Sequence, residues 1–235
     1  MKNLLSLVFF LSIILSSCSQ GYRGFQTERL NGKVKSFTEY KYEAVKKSGQ
    51  WEATKELAIP SKTVCIFDGK DIVEQSMFYE LDGIDTSVRT IFKHDKKGNV
   101  ISQIAYDAEG KENSRLEITK KDELGRVVEG LVLQEPHDTV SHARYEWENG
   151  RIKSSTFDQH HTRYTNVFIK EYNEQGLESG FVTKLMVDGA LEHEGRYSTT
   201  YLAFDKKKNW IKKLDTGEKD GKVDAVVTKR EIIYK

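Results

Sequence analysis

Apolar and polar positions alternate with a period of two along most of the chain, in short runs. In the stretch Val100–Tyr106, Val100, Ile104 and Tyr106 share one side with Ser102, while Ile101, Gln103 and Ala105 share the other. Residues 163–172 alternate more cleanly. Tyr164, Phe168 and Tyr172 fall on one face, Val167 and Ile169 on the opposite one. Residues 115–119 set Leu116 and Ile118 against charged neighbours. Side chains of successive strand residues point to opposite faces, so these runs predict β-strands with one core face and one wet face. Outside the N-terminal leader no window repeats apolar residues at helical spacing. Residues 51–57 (WEATKEL) are the best helical candidate, and they are short for an isolated helix.

The strands are punctuated by two kinds of turn. One is a five-residue unit opened by Asp or Asn: 95–99 (DKKGN), 107–111 (DAEGK), 122–126 (DELGR), 173–177 (NEQGL) and 205–209 (DKKKN). Its first side chain can bond the backbone ahead of it, and the Gly three residues later accepts the positive φ that closes the turn. The other is a two-residue Asn-Gly or Asp-Gly, as at Asn31-Gly32, Asp68-Gly69, Asp82-Gly83, Asn149-Gly150, Asp188-Gly189 and Asp220-Gly221. Such dipeptides between alternating runs are strong hairpin signals. Turn density predicts about fourteen strands. Residues 134–142, with Pro136, read as a longer loop. The fold class expected is all-β: an antiparallel meander of repeated hairpins in one domain, residues 30–235. A sheet of that size cannot stay flat, so it is expected to be curved or partly closed.

Residues 1–29 have a different character. Lys2 precedes an apolar run at 4–15 broken only by Ser6 and Ser12, and Leu15-Ser16-Ser17-Cys18 follows. The run is too short to cross a bilayer and reads as a secretory signal. The small residues before Cys18 resemble the lipobox of bacterial lipoproteins, in which that cysteine becomes the acylated first residue. This gives a signal peptide at 1–17, lipidation (palmitate) at Cys18, and a polar tether at 18–29. Acyl chains anchor firmly, at about 0.8 kcal/mol per buried CH₂. The membrane is then a partner through the anchor. Ser19 lacks the inner-membrane retention aspartate, so the resemblance implies the cell envelope and its outer membrane.

Composition narrows the function. With 37% hydrophobic and 11% aromatic residues the chain can bury a core. Its 37 Lys+Arg balance 36 Asp+Glu, and loss of residues 1–17 takes Lys2 away, leaving 36 of each. That balance gives no electrostatic basis for nucleic-acid binding.

The unit 98–110, running from Gly98-Asn99-Val100 to Tyr106-Asp107-Ala108-Glu109-Gly110, resembles a YD repeat of the RHS type. Weaker copies lie at 145–152, 172–177 and 204–211. The C-terminal segments 204–213 and 228–234 resemble the closing part of RHS-like lipoproteins of the Bacteroidales. The resemblance spans roughly Gly32 to Tyr234 and implies the fold rather than an activity. This chain has neither the length of the large toxin-enclosing shells nor their autoprotease. Lys208 stands where the repeat has glycine, which predicts a different turn type there.

Catalytic patterns are missing: no GxSxG, Ser-x-x-Lys, P-loop, dinucleotide-binding glycines, HExxH or Cys/His spacing. No cofactor and no metal site is expected, and the histidines at 94, 137, 142, 160, 161 and 193 read as solvated. Cys65, within TVCIF, reads as a small buried hydrophobe. Aromatic residues recur near strand ends. Tyr106, Trp147, Tyr172 and Trp210 are the candidates for stacking on a ligand, against a simpler role in packing. The function expected is a non-catalytic envelope lipoprotein whose β-sheet binds or scaffolds a glycan, peptide or envelope protein. The alternatives are a barrel-like carrier of a lipid or other apolar ligand, and a loop-built hydrolase.

Overall fold

The computed structural model describes residues 30–235, apart from 57–60, 69–70, 82–83, 97–98, 135–137 and 220–221. Its strands are β1 (Val34–Lys47), β2 (Gln50–Glu56), β3 (Lys62–Asp68), β4 (Asp71–Leu81), β5 (Ile84–His94), β6 (Val100–Tyr106), β7 (Glu112–Lys121), β8 (Val127–Gln134), β9 (Asp138–Glu148), β10 (Arg151–Gln159), β11 (Tyr164–Tyr172), β12 (Glu178–Val187), β13 (Ala190–Phe204), β14 (Trp210–Lys219) and β15 (Lys222–Tyr234). From β3 to β15 each strand pairs antiparallel with the next. β1 pairs with β15 along one edge and with β2 and β3 on the other, which closes the sheet. Because β2 and β3 share one lane beside β1, the 15 strands make a barrel of 14 lanes. The expected curved or partly closed sheet is therefore more closed than the sequence reading had it.

Closure has a plain energetic reason. An open meander this long would leave two edges of unpaired N–H and C=O groups, and pairing β1 with β15 satisfies both. The seam is anchored from Val34↔Tyr234 to Glu43↔Val226 and is tied off where the Lys235 N–H donates to the Lys33 carbonyl at 2.8 Å.

All strands run antiparallel, so the turns sort to two ends. Both chain termini, the 95–99, 122–126, 149–150, 173–177 and 205–209 turns lie at one end, called here the near end. The 48–49, 107–111, 160–163 and 188–189 turns lie at the far end. The five Asp/Asn turns share one geometry. In each, the first residue's N–H donates to the carbonyl four residues on, at 2.8–2.9 Å. In all five its side-chain oxygen also accepts that fifth residue's N–H at 2.8–2.9 Å. In the four turns whose fourth residue is described, that residue takes positive φ: +80° at Gly110, +79° at Gly125, +76° at Gly176 and +65° at Lys208. Lys208 thus adopts the same turn type as the glycines, contrary to the expectation from its side chain.

Three other expectations change. The helical candidate 51–57 is not helical over its described residues: 50–56 form β2, joined to β1 by a tight turn at Ser48-Gly49 with φ of +48° and +84°, and Leu57 falls outside the described residues. Residues 134–142 are mostly strand, since β8 runs to Gln134 and β9 starts at Asp138. Pro136 and His137 fall outside the described residues. In β6 the inward residues are Gln103 and Ala105, both buried, while Ile104 and Tyr106 belong to the outer face. A register shift between Lys93 and His94 opposite Val100 and Ser102 turns Val100 inward out of phase and leaves Ile101 exposed.

The register carries one face continuously round the barrel, and that inner face holds most of the core; a smaller cluster of Leu214, Ala225 and Val227, with Ala44 and Trp51 against it, is buried on the opposite face. One buried cluster holds Phe37, Cys65, Phe67, Met77, Val88 and Phe92; a second holds Leu116, Val127, Val132, Tyr145, Ile152 and Phe157. Phe157 meets Tyr145 and Phe168 edge-on, with centroids 6.1 Å apart in both pairs. Replacing such a buried ring by Ala costs about 3–5 kcal/mol.

Candidate functional site: a charged row on the inner wall

The β1–β10 part of the inner face is largely apolar, whereas the part formed by β11–β15 and β1 carries charge. Lys170 pairs with Glu178 at 2.9 Å and Lys213 with Asp215 at 3.0 Å. Arg230 donates to Glu39 Oε1 from Nε at 2.9 Å and from Nη2 at 2.7 Å. Its guanidinium is sandwiched between Phe37 and Trp210, 4.4 and 3.4 Å from their ring centroids. Thr199 Oγ1 donates to Asp215 at 2.6 Å. The fold places these groups because Tyr201↔Lys213, Lys213↔Thr228, Thr228↔Lys41 and Arg230↔Glu39 are direct cross-strand partners. Partners on one face of a sheet stand about 5 Å apart at Cβ.

Each of the three carboxylates in this group has its own cation, and Lys41 is the fourth cation. Among the described residues its ammonium has no ion pair, and its backbone N–H donates to the Ser61 carbonyl at 2.8 Å. Burial pushes the Lys41 ammonium below its ordinary range, and nearby Lys213 pushes the same way against Glu39, Asp215 and Glu178. Lys213 moves upward instead: burial opposes its charge, but Asp215 and Glu178 outweigh that. Between the two lysines, Thr228 is 0% exposed and its hydroxyl has no hydrogen-bond partner. The hydroxyls of Thr63, Thr90 and Ser141 and the Gln103 side-chain oxygen are buried on the inner face in the same condition. Buried polar atoms are nearly always bonded, to protein, water or ligand. Glu43 continues the Lys41 face toward the far end, where it is exposed.

The near end is latched by aromatic side chains. Trp147 Nε1 donates to the Val127 carbonyl at 2.7 Å, Tyr172 Oη to Ile152 O at 2.9 Å, and Tyr201 Oη to Glu178 O at 2.9 Å. Arg126 stacks on Trp147 and Arg151 on Tyr172. Asn209 joins the chain entry to the last turn, accepting from the Asn31 N–H at 2.6 Å and donating to Asn31 O at 2.9 Å and Tyr234 Oη at 2.7 Å.

Of the four candidate stacking residues, Trp147, Tyr172 and Trp210 therefore sit on the inner side at the near end, and Trp210 is 3% exposed beneath Arg230. Tyr106 lies apart, half-buried on the outer wall opposite Arg89. The structure does not bring the four into one surface. Cys18 lies outside the described residues. Cys65 is fully buried against the Phe37 cluster. His142 faces Glu129 at 3.7 Å on the outside, and among the described residues no three His, Cys, Asp or Glu side chains converge. The inner row was not among the sequence candidates. Glu39, Lys41 and Glu43 alternate with Tyr40 and Tyr42, which suggests the aromatics as the core face; only the register shows the reverse.

No protein-family model matches the chain, and no curated protein matches it. Nine chains of solved structures do, among them a porin-like protein from Bacteroides uniformis ATCC 8492. That match has 7% sequence identity and a TM-score of 0.49, and covers 87% of this chain and 99% of the other.

Proposed function

We propose that the chain is a lipid-anchored, non-catalytic envelope protein whose barrel carries an apolar or amphipathic ligand inside its wall. The observation that carries this reading is the polarity of the wall. Large apolar side chains from β1–β10 turn inward, while ion pairs such as Arg89–Glu74 at 3.1 Å and Arg144–Asp158 at 2.6 Å face out. Closure also removes the open concave sheet that a surface for glycan, peptide or envelope protein would need, which favours the carrier over the scaffold. The unpartnered polar atoms among the apolar groups support an interior that meets a second molecule. An anchor at Cys18 would reach the barrel through the tether at its near end, where Leu30 is packed at 7% exposure.

The test is extraction of the native lipoprotein from envelopes, denaturation, and mass spectrometry of released lipids, beside titration of the mature protein with 1-N-phenylnaphthylamine. A stoichiometric lipid and saturable fluorescence are expected. Neither lipid nor saturation in a folded sample would overturn the reading.

A further inference from the structure

Resting on the carrier reading, we infer that the ligand has an anionic oxyacid head, carboxylate or phosphate, bound by the row Lys213–Thr228–Lys41. Lys41 and Lys213 flank Thr228 as direct cross-strand partners on one inner face. Lys213 already holds Asp215 at 3.0 Å, so the unsatisfied donors of the row are the Lys41 ammonium and the Thr228 hydroxyl. A hydroxyl at 0% exposure with no partner, beside an ammonium that makes no ion pair among the described residues although Glu39, Asp215 and Glu178 lie near it, is a half-built oxyanion site. Charge-assisted hydrogen bonds from such a pair are among the strong ones in a low-dielectric setting. A neutral ligand would leave both donors bare, and a cationic one would meet Lys41 and Lys213 together.

The wall next to the row tells where the rest of the ligand lies. Lys41 stands two residues from Glu39, and Glu39 faces Thr63 across β1 and β3. Beyond Thr63 the inner face turns to Cys65, Met77, Val88 and Ala105, with Gln75 and Thr90 among them, all buried. The layout is a cationic start followed by a mainly apolar track with a few polar groups, which fits an amphiphile with a single charged end. Thr63 and Thr90 supply hydroxyls along that track that are open for a polar group near the head.

The test uses cis-parinaric acid, a fluorescent fatty acid, and its uncharged methyl ester on the full mature protein. Wild type is expected to bind the acid at least about tenfold tighter than the ester, the discrimination of one charge-assisted bond. Lys41→Met should abolish that preference while leaving ester affinity within twofold, and Lys41→Arg should keep it. Because Lys41→Met removes a half-buried cation with no ion pair among the described residues, it should melt no lower than wild type, which separates lost binding from lost fold. Competition by palmitate, lysophosphatidate and inorganic phosphate then distinguishes a carboxylate lipid, a phosphate lipid and a free anion. Equal acid and ester binding in wild type, or an unchanged preference in Lys41→Met, overturns the anionic head and leaves the carrier reading standing. Absence of binding by either probe overturns both.

Discussion

The buried pair Glu39–Arg230 offers the sharpest test of the inner-wall architecture. Its side chains are 3% and 1% exposed, and Arg230 donates twice to one carboxylate oxygen at 2.7–2.9 Å. Glu39→Gln keeps an acceptor of nearly the same shape and removes the charge. At an effective dielectric of about 20, unit charges about 4 Å apart attract by about 4 kcal/mol. Breaking a buried pair from one side costs about 3–5 kcal/mol, because the remaining charge is stranded. Here the stranded group is a guanidinium held between Phe37 and Trp210, with Lys41 and Lys213 also on this wall. Cation–π contact offsets part of the loss, about 2 kcal/mol at most per desolvated pair. The expected net loss is about 3 kcal/mol, a fall of roughly 1–2 M in urea midpoint for a domain with a slope of about 2 kcal/mol/M. The double variant Glu39→Leu/Arg230→Met should recover most of it, since apolar replacement of a buried pair is about neutral or better. Chemical denaturation followed by Trp fluorescence measures all three proteins. A Glu39→Gln midpoint indistinguishable from wild type, or a double variant no more stable than Glu39→Gln, would refute the placement of this pair in a dry wall.

Other expectations concern the turns, the latches and the anchor. Gly110 has φ of +80° and nothing within 4 Å of an added Cβ, so Gly110→Ala should cost about 1 kcal/mol from backbone strain alone, whereas Lys208→Gly at φ +65° should gain a similar amount; opposite shifts in melting temperature are the check. Trp147→Phe removes the donor to Val127 O and should lower stability by about 1–2 kcal/mol, read by thermal melting. Burial pushes the Asp122 carboxyl up, but the Arg126 N–H and guanidinium outweigh it and hold it below its ordinary 3.8. A depressed carboxyl stabilises the fold above its unfolded value and loses that contribution as pH falls through the folded one, so the wild type should lose more stability between pH 5 and about pH 2 than Asp122→Asn does. Cys18→Ser should abolish palmitate labelling and release a soluble protein; labelled Cys18→Ser protein would exclude that cysteine as the acyl site.

How much of this was readable from the chain follows from what each feature depends on. Turns are local: the Asp or Asn side chain and the residue three positions on determine them within five residues, so the hairpin order was legible. Lys208 misled because sequence shows the cost of a side chain at positive φ but not the Asp205, Asn209 and Tyr234 bonds that enforce the turn. β2 looked helical because Trp51, Ala53 and Leu57 say little by themselves, and its pairing with β1 from Lys47↔Gln50 onward is tertiary information. The face of β6 was ambiguous because one bulge inverts the period-two rule. The inner charges were invisible for a related reason. Lys41 and Lys213 are 172 positions apart, and their relation exists only because the first and last strands pair.

That seam also determines how the barrel can meet a membrane. A lipid-facing wall must be apolar, and Arg or Lys at its middle costs about 2–4 kcal/mol each. The outer wall here carries Arg89, Arg144 and Lys184 within strands β5, β9 and β12, each beside a carboxylate at 2.6–3.1 Å. Three such cations alone would cost on the order of 6–12 kcal/mol in hydrocarbon. These charges weigh against lipid contact at those positions of the wall, and under the reading we propose membrane attachment falls to acyl chains on Cys18. Under the same carrier reading, the inner face, with its apolar side chains and the Lys41 ammonium that makes no ion pair among the described residues, is the part that would receive an amphiphile.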